Sequence, residues 1–211
     1  MKKLSSIVCL GIAMFAVSIL GTTNQVSADE VTQVSSVSFD DENTIVGPLM
    51  TYDEMIAEIA ETNGISVEQA QSEMVGSNPN NLRAARAKQY RTLSQQFTVN
   101  SKYKPTMRFY CETTESGGFR AIKKIERVEM IRGYKGLSKQ FGGSVYVNLE
   151  DPNIIFYIVN GDFYNNGSTT YEAGVNIGLG KNASVGFKAS STSSHYQYRY
   201  VESRLRFWLI K

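Results

Sequence analysis

Tyr196-Gln197-Tyr198-Arg199-Tyr200 sets three phenols on alternate positions of one short stretch. On a strand, residues two apart share a face at roughly 7 Å spacing, so Tyr196, Tyr198 and Tyr200 would form a row on which sugar rings stack. The same residues also serve as ordinary strand tyrosines, with the ring in a core and the hydroxyl in water. Catalytic chemistry has thinner material. His195 is the sole histidine, so a histidine-based metal cluster is excluded and a Ser-His-Asp arrangement would have to use this residue. Its serine-rich surroundings read as an exposed turn. Glu150, Asp151 and Asp162 supply carboxylates, but Asp151-Pro152-Asn153 and Asn160-Gly161 read as turn signals. There is no phosphate-cradling glycine loop and no calcium-loop pattern. A non-enzymatic protein without metal or cofactor is the expectation.

A second stretch with chemistry in it is a long ribbon. Val175, Ile177, Leu179, Val185, Phe187 and Ala189 fall on odd positions, with Gly, Asn, Ser and Lys between them. A period of two sustained over this length means strand. Paired as a hairpin, Leu179 meets Val185, Ile177 meets Phe187 and Val175 meets Ala189, leaving Lys181-Asn182-Ala183 as the loop. Such a ribbon, from Tyr171 to Ser193, has one apolar and one polar face. It fits half-buried in a sandwich, and it also has the look of the membrane hairpins of β-type pore-forming toxins. The last residues, Arg204-Leu205-Arg206-Phe207-Trp208-Leu209-Ile210-Lys211, suit either a closing strand or an interfacial tail.

The elements that must position these residues are mostly strands. Gln96–Asn100, Thr106–Thr113 and Ser144–Leu149 read as strands, and Phe119 to Gly133 as one long strand with a bulge near Lys123-Lys124. Ile154 to Val159 is apolar on both sides, the signature of a strand covered on both faces. Glycine and asparagine turns separate them. The fold expected is mainly β, an antiparallel β-sandwich over residues 95–211, preceded by a short helical segment and a signal peptide.

Lys2-Lys3, an apolar run from Ile7 to Leu20 and Val26-Ser27-Ala28 form the three-part layout of a secretory signal, residues 1–28, cut after Ala28. Secretion to the extracellular side is expected, and no later stretch would cross a bilayer as a helix. Removal of Cys9 leaves Cys111 alone, so no intramolecular disulfide forms. Cys111 reads as a small buried hydrophobe, with no group placed beside it to activate a thiolate.

Residues 29–50 read as a flexible acidic leader and 51–94 as an acidic helical hairpin plus a basic helical linker. Thr51 and Glu54 form a capping box, Asn63-Gly64 a stop, and Ser66 starts a second helix. The spacing Ala60, Gly64, Ile65, Ala70 resembles a helix-turn-helix over about twenty residues. Val67 to Val75, however, offers only Glu, Gln and Ser as polar groups, so it cannot neutralise phosphates and nucleic acid is not expected. From Asp29 to Val75 there are eleven acids and no Lys or Arg; from Gly76 onward there are twenty Lys or Arg against nine acids. The acidic segment either solubilises a leader or lies against the basic domain. Arg83 and Arg86 would be a processing site that releases it.

Together these features favour a secreted binding module that contacts a cell surface through its basic, tyrosine-rich β domain. The partner would be an anionic envelope polymer, a glycan or a lipid surface. The alternative is a pore-forming or bacteriocin-like toxin whose hairpin is released from the acidic segment.

Overall fold

The computed structural model describes residues 44–75, 78–171 and 175–207, with the backbone alone at Tyr171. The signal peptide, most of the leader and residues 208–211 lie outside them. In chain order the elements are β1 (Thr44–Val46), α1 (Tyr52–Asn63), α2 (Val67–Val75), α3 (Pro79–Arg86), β2 (Gln89–Gln96), β3 (Thr106–Ser116) and β4 (Phe119–Ile131). There follow β5 (Gly133–Tyr134), β6 (Leu137–Ser138), β7 (Gln140–Asp151), β8 (Ile154–Tyr164), β9 (Thr169–Tyr171), β10 (Ile177–Gly178), β11 (Asn182–Ala189) and β12 (His195–Arg206). The protein is mainly β, with antiparallel sheets packed as a sandwich. Sheet 1 runs β1-β2-β3-β4-β10 and sheet 2 runs β12-β8-β7-β11-β9; β5 and β6 form a small hairpin apart.

The strands close on one core because each contributes alternate apolar residues to the space between the sheets. Leu93, Phe109 and Ile125 face Val145, Tyr157 and Leu205 there, all completely buried. A polar tie crosses it: Gln95 of β2 accepts hydrogen bonds from Tyr157 (2.8 Å) and Ser203 (2.9 Å) of sheet 2. β4 is one strand, as its pattern predicts. Its register against β3 skips Lys123 and Glu126, so the bulge expected near Lys123 is present and a second follows it.

The helices form where the caps place them. Thr51 and Glu54 close a complete capping box on α1, and Gly64 ends it in the left-handed region (φ 63°). Pro79 opens α3 behind the Asn78 cap. What the caps do not disclose is that these helices are a layer of the fold. Met55, Ile56 and Ile59 of α1 pack on Tyr90 of β2 and Tyr110 of β3, covering the outer face of sheet 1. The acids face the basic residues that follow: Glu58 meets Arg108 of β3 at 2.8 Å, Glu73 meets Arg127 of β4 at 3.0 Å and Asp53 meets Arg86 of α3 at 3.0 Å. Of the two uses of the acidic segment, lying against the basic domain is the one seen for these residues.

Three expectations need correction here. Thr44–Val46, inside the supposed flexible leader, is a strand paired with Leu93–Gln95. The helical linker stops at Arg86, and Gln89–Gln96 is a full strand, so the boundary drawn at residue 95 falls inside β2. Tyr90 and Thr92 face the helices while Leu93 faces the core, and with both faces of β2 covered its pattern carries no clean alternation. Finally, the ribbon is not a hairpin. Ile177 pairs with Ile125 in sheet 1, whereas Val185 pairs with Val145 in sheet 2, and Lys181 N–H donates to the Gly178 carbonyl (3.0 Å) in the turn between. Ile177, Val185 and Phe187 are buried, Val175 is partly buried against the core, and Leu179 is exposed at that turn. The alternation therefore reported the face correctly at Ile177, Val185 and Phe187 but not at Leu179, and it did not report the partners.

Cys111 is free and wholly buried, and burial pushes its thiol well above the ordinary cysteine range. Arg91 clamps the β2–β3 edge by a fork onto Glu115 (2.5 and 3.0 Å) and a hydrogen bond to the Gly47 carbonyl (2.6 Å). The Arg91 guanidinium holds the Glu115 carboxyl below the usual carboxylate range. A carboxyl whose folded value is depressed stabilises the fold above its unfolded value, and that contribution disappears as pH falls through the folded value. Glu115→Gln should therefore lower the melting temperature at pH 7, while the two proteins converge at an acid pH below the folded value of Glu115. Thermal melts at both pH values check this.

Candidate ligand-binding face

The two sheets differ in what lies outside them. Helices cover the outer face of sheet 1, whereas among the described residues nothing covers that of sheet 2. On β12, Leu205 is wholly buried and Ser203 reaches Gln95, so odd positions point inward and Tyr198, Tyr200, Glu202 and Arg204 point outward. Their neighbours on β8 are Asp162, Asn160, Ile158 and Phe156, in that order. Beyond β8 the face continues through Ser144, Tyr146 and Asn148 of β7.

Hydrogen bonds fix the orientation of these side chains. The Tyr198 hydroxyl donates to Asn160 Oδ1 at 2.9 Å, and the Tyr200 hydroxyl donates to Glu202 Oε1 at 2.5 Å. The bond to Glu202 raises the Tyr200 phenol above its ordinary value, so it remains a neutral donor. Tyr198 and Tyr200 are 53% and 50% exposed. Arg204 is forked onto Glu150 (2.8 and 3.0 Å) and lies 4.8 Å from the centroid of the Phe156 ring, which meets Tyr146 edge-on. His195 Nε2 lies 2.8 Å from Asp162 Oδ1. The result is an open surface of aromatic rings, amides and carboxylates on rigid strands.

Beneath it, Gly143 and Gly161 stand directly opposite each other on β7 and β8. A Cβ on Gly143 would be driven into the Asn160 carbonyl, and one on Gly161 into that of Gly142. Only glycine permits this close approach, and Gly161 sits between the two face residues Asn160 and Asp162. The turn expected at Asn160-Gly161 is accordingly absent: β8 runs through it to Tyr164.

The three tyrosines do not share a face. The register of β12 shifts between His195 and Gln197, leaving Tyr196 as the bulged residue. Its ring turns toward the rim of the core, 6.1 Å from Tyr103 and edge-on to it, with Lys139 Nζ 4.6 Å from its centroid. Its hydroxyl accepts from Asn100 Nδ2 at 2.8 Å. The row thus has two members, Tyr198 and Tyr200. No family model, no curated protein and no solved structure matches the chain.

The strand that widens the face is the one the sequence hid. Phe156 and Ile158 make β8 apolar on both sides, which is the pattern of a strand covered twice. Here they are partly exposed on an uncovered face. The three carboxylates go to separate partners: Glu150 to Arg204, Asp151 to the backbone N–H of Asn153 at 2.8 Å, and Asp162 to His195. Among the described residues no hydroxyl or thiol is hydrogen-bonded to the His195 ring, and no group of three or more His, Cys, Asp and Glu is arranged to hold a metal. Arg83 and Arg86 lie on α3, where Arg86 is paired with Asp53 and Ala85 is buried. No described helix is long and apolar enough to cross a membrane.

Proposed function

We propose that the protein is a secreted, non-enzymatic binding module whose uncovered sheet holds a glycan chain of a cell envelope. One observation carries this reading. Tyr198 and Tyr200 stand half-exposed on successive outward positions of β12, with their hydroxyls tied back so that the rings are held in place. Held aromatic rings beside amides and carboxylates offer stacking faces for sugar rings and partners for sugar hydroxyls. Among a glycan, an anionic polymer and a lipid surface, the face favours the glycan. Arg204 is already paired with Glu150, and Glu202 and Asp162 would repel anions. Exposed glycan polymers suit an open strip of this kind better than a closed pocket.

The membrane-inserting alternative draws no support from the strand pairing. Ile177 and Phe187 are pinned in different sheets, and bringing them together would strip both from the core. Release of the acidic segment at Arg83 or Arg86 would likewise uncover Tyr90 and Tyr110.

The test is retention of soluble wall glycan. Replacing both Tyr198 and Tyr200 by Ala should weaken it at least about tenfold, each stacked ring being worth roughly 1 kcal/mol. Tyr196→Ala should retain glycan like the natural chain, because that ring is turned to the core rim. Equal losses from Tyr196→Ala and from the double replacement would remove the assignment.

A further inference from the structure

A cavity of about 510 Å³ opens between the helical layer and the β4–β10 edge of sheet 1, on the opposite side of the sandwich from the glycan face. That volume is in the range of small-molecule sites. Two features built into the fold shape it. The bulge at Glu126 lifts that residue out of the β3–β4 register, and Glu126 lines the cavity with Lys124, its partner at 2.8 Å. Tyr52, the first residue of α1, lines it too and is only 1% exposed, yet its hydroxyl has no hydrogen-bond partner. Burial, helped by nearby Asp53, pushes that phenol up to about 12, so it is a donor lacking an acceptor. Tyr90 beside it is satisfied, its hydroxyl donating to the Ala85 carbonyl at 3.1 Å. Met55, Met74 and Val75 supply an aliphatic wall.

The lining discriminates among ligands. A sugar would want an open ring face, but the rings of Tyr52 and Tyr90 are buried and tilted against each other at 6.1 Å. A simple anion would meet Glu126, and a simple cation would meet Lys124. A fatty acyl chain would meet too many charges. The other charged lining residues, Glu73 and Lys88, are paired with Arg127 and Glu112, so a ligand bearing both signs at one end and an apolar group at the other matches Lys124, Glu126 and the aliphatic wall.

We propose that this cavity binds a free α-amino acid with an apolar side chain. Its carboxylate accepts the Tyr52 hydroxyl hydrogen bond beside Lys124, its ammonium faces Glu126, and its side chain lies on Met55, Met74 and Val75. The site is independent of the glycan face and does not require it.

Isothermal titration of the full chain with L-leucine and L-methionine tests this. Saturable binding on the order of 0.1–1 mM is expected. N-acetyl-leucine, without the ammonium, and leucinamide, without the carboxylate, should bind at least about tenfold more weakly. Tyr52→Phe removes only an unpartnered hydroxyl, so its melting temperature should hold or rise while affinity for the better probe falls about tenfold. Glu126→Gln should weaken binding similarly. The proposal is overturned if neither amino acid saturates the protein by about 10 mM. It is equally overturned if Tyr52→Phe binds as tightly as the natural chain, or if D-glucose or acetate binds as well as L-leucine.

Discussion

Arg127→Ala should lower folding stability by about 3–5 kcal/mol, among the largest effects of any single substitution in the chain. Arg127 is 1% exposed. Its Nε donates to Glu129 at 2.6 Å within β4, and its Nη1 donates to Glu73 of α2 at 3.0 Å. Glu129 also accepts from Asn63 at the end of α1 (2.7 Å), while its second oxygen has no partner. One guanidinium therefore joins α2 to sheet 1 and neutralises a carboxylate that water cannot reach. Removing it strands Glu129 in a low-dielectric site, which is where the cost arises. The pair is not intrinsically a source of stability. Replacing both members by apolar residues, Arg127→Met with Glu129→Leu, should recover most of the loss. Urea unfolding of the single and double variants measures both numbers; a single variant within about 1 kcal/mol of the natural chain would show that the network is solvated.

Phe163→Ala should cost about 3–5 kcal/mol for a different reason. Phe163 is wholly buried, and its ring meets Phe141 at 4.9 Å, Tyr103 at 5.7 Å and Phe97 at 6.3 Å. It is where β7 and β8 of sheet 2 meet the loop after β2, so truncation opens a cavity that three rings cannot collapse to fill. Asp162 and Tyr164 flank it on the outer face, so loosening this end of β8 should also broaden the His195 resonances. Phe163→Leu keeps most of the volume and should cost about half as much. Denaturant titration compares the two, and equal losses would mean that volume is not what Phe163 supplies.

The contrast between these two sites shows what the sequence displays and what it conceals. Alternation in β3, β7 and β11 is visible because one side of each strand is apolar and the other is not. It assigns faces but is silent about neighbours, which is why Ile177 and Phe187 looked like a pair and lie in different sheets. The capping box of α1 is a local hydrogen-bond pattern and was fully legible. The role of α1 as a cover for sheet 1 was not, since it depends on Tyr90 and Tyr110, far away in the chain. Eleven acids ahead of twenty bases announced that the two segments could attract, and Glu58, Glu73 and Asp53 are where they do.

The proposed binding face was half legible. Tyr198 and Tyr200 stand out by spacing, but the bulge that removes Tyr196 from the row leaves no mark in residue types. Asn160 and Asp162 were disguised by the glycine between them. Gly161 there serves close strand approach and not a turn, and those two uses look alike in one dimension. Phe156 and Ile158 were disguised by the general rule that apolar residues on both sides of a strand mean burial on both sides. Their partial exposure departs from that rule because no further layer covers this face among the described residues.

Amide chemical-shift mapping during titration with soluble oligosaccharides cut from wall glycan tests the face most directly. Shifts should concentrate at Asn160, Asp162, Tyr198 and Tyr200 and reach Tyr146 on the next strand, with the helical layer around Ile56 and Ala70 unmoved. Shifts confined to the helical layer, or none on β8 and β12 at saturating oligosaccharide, would contradict it.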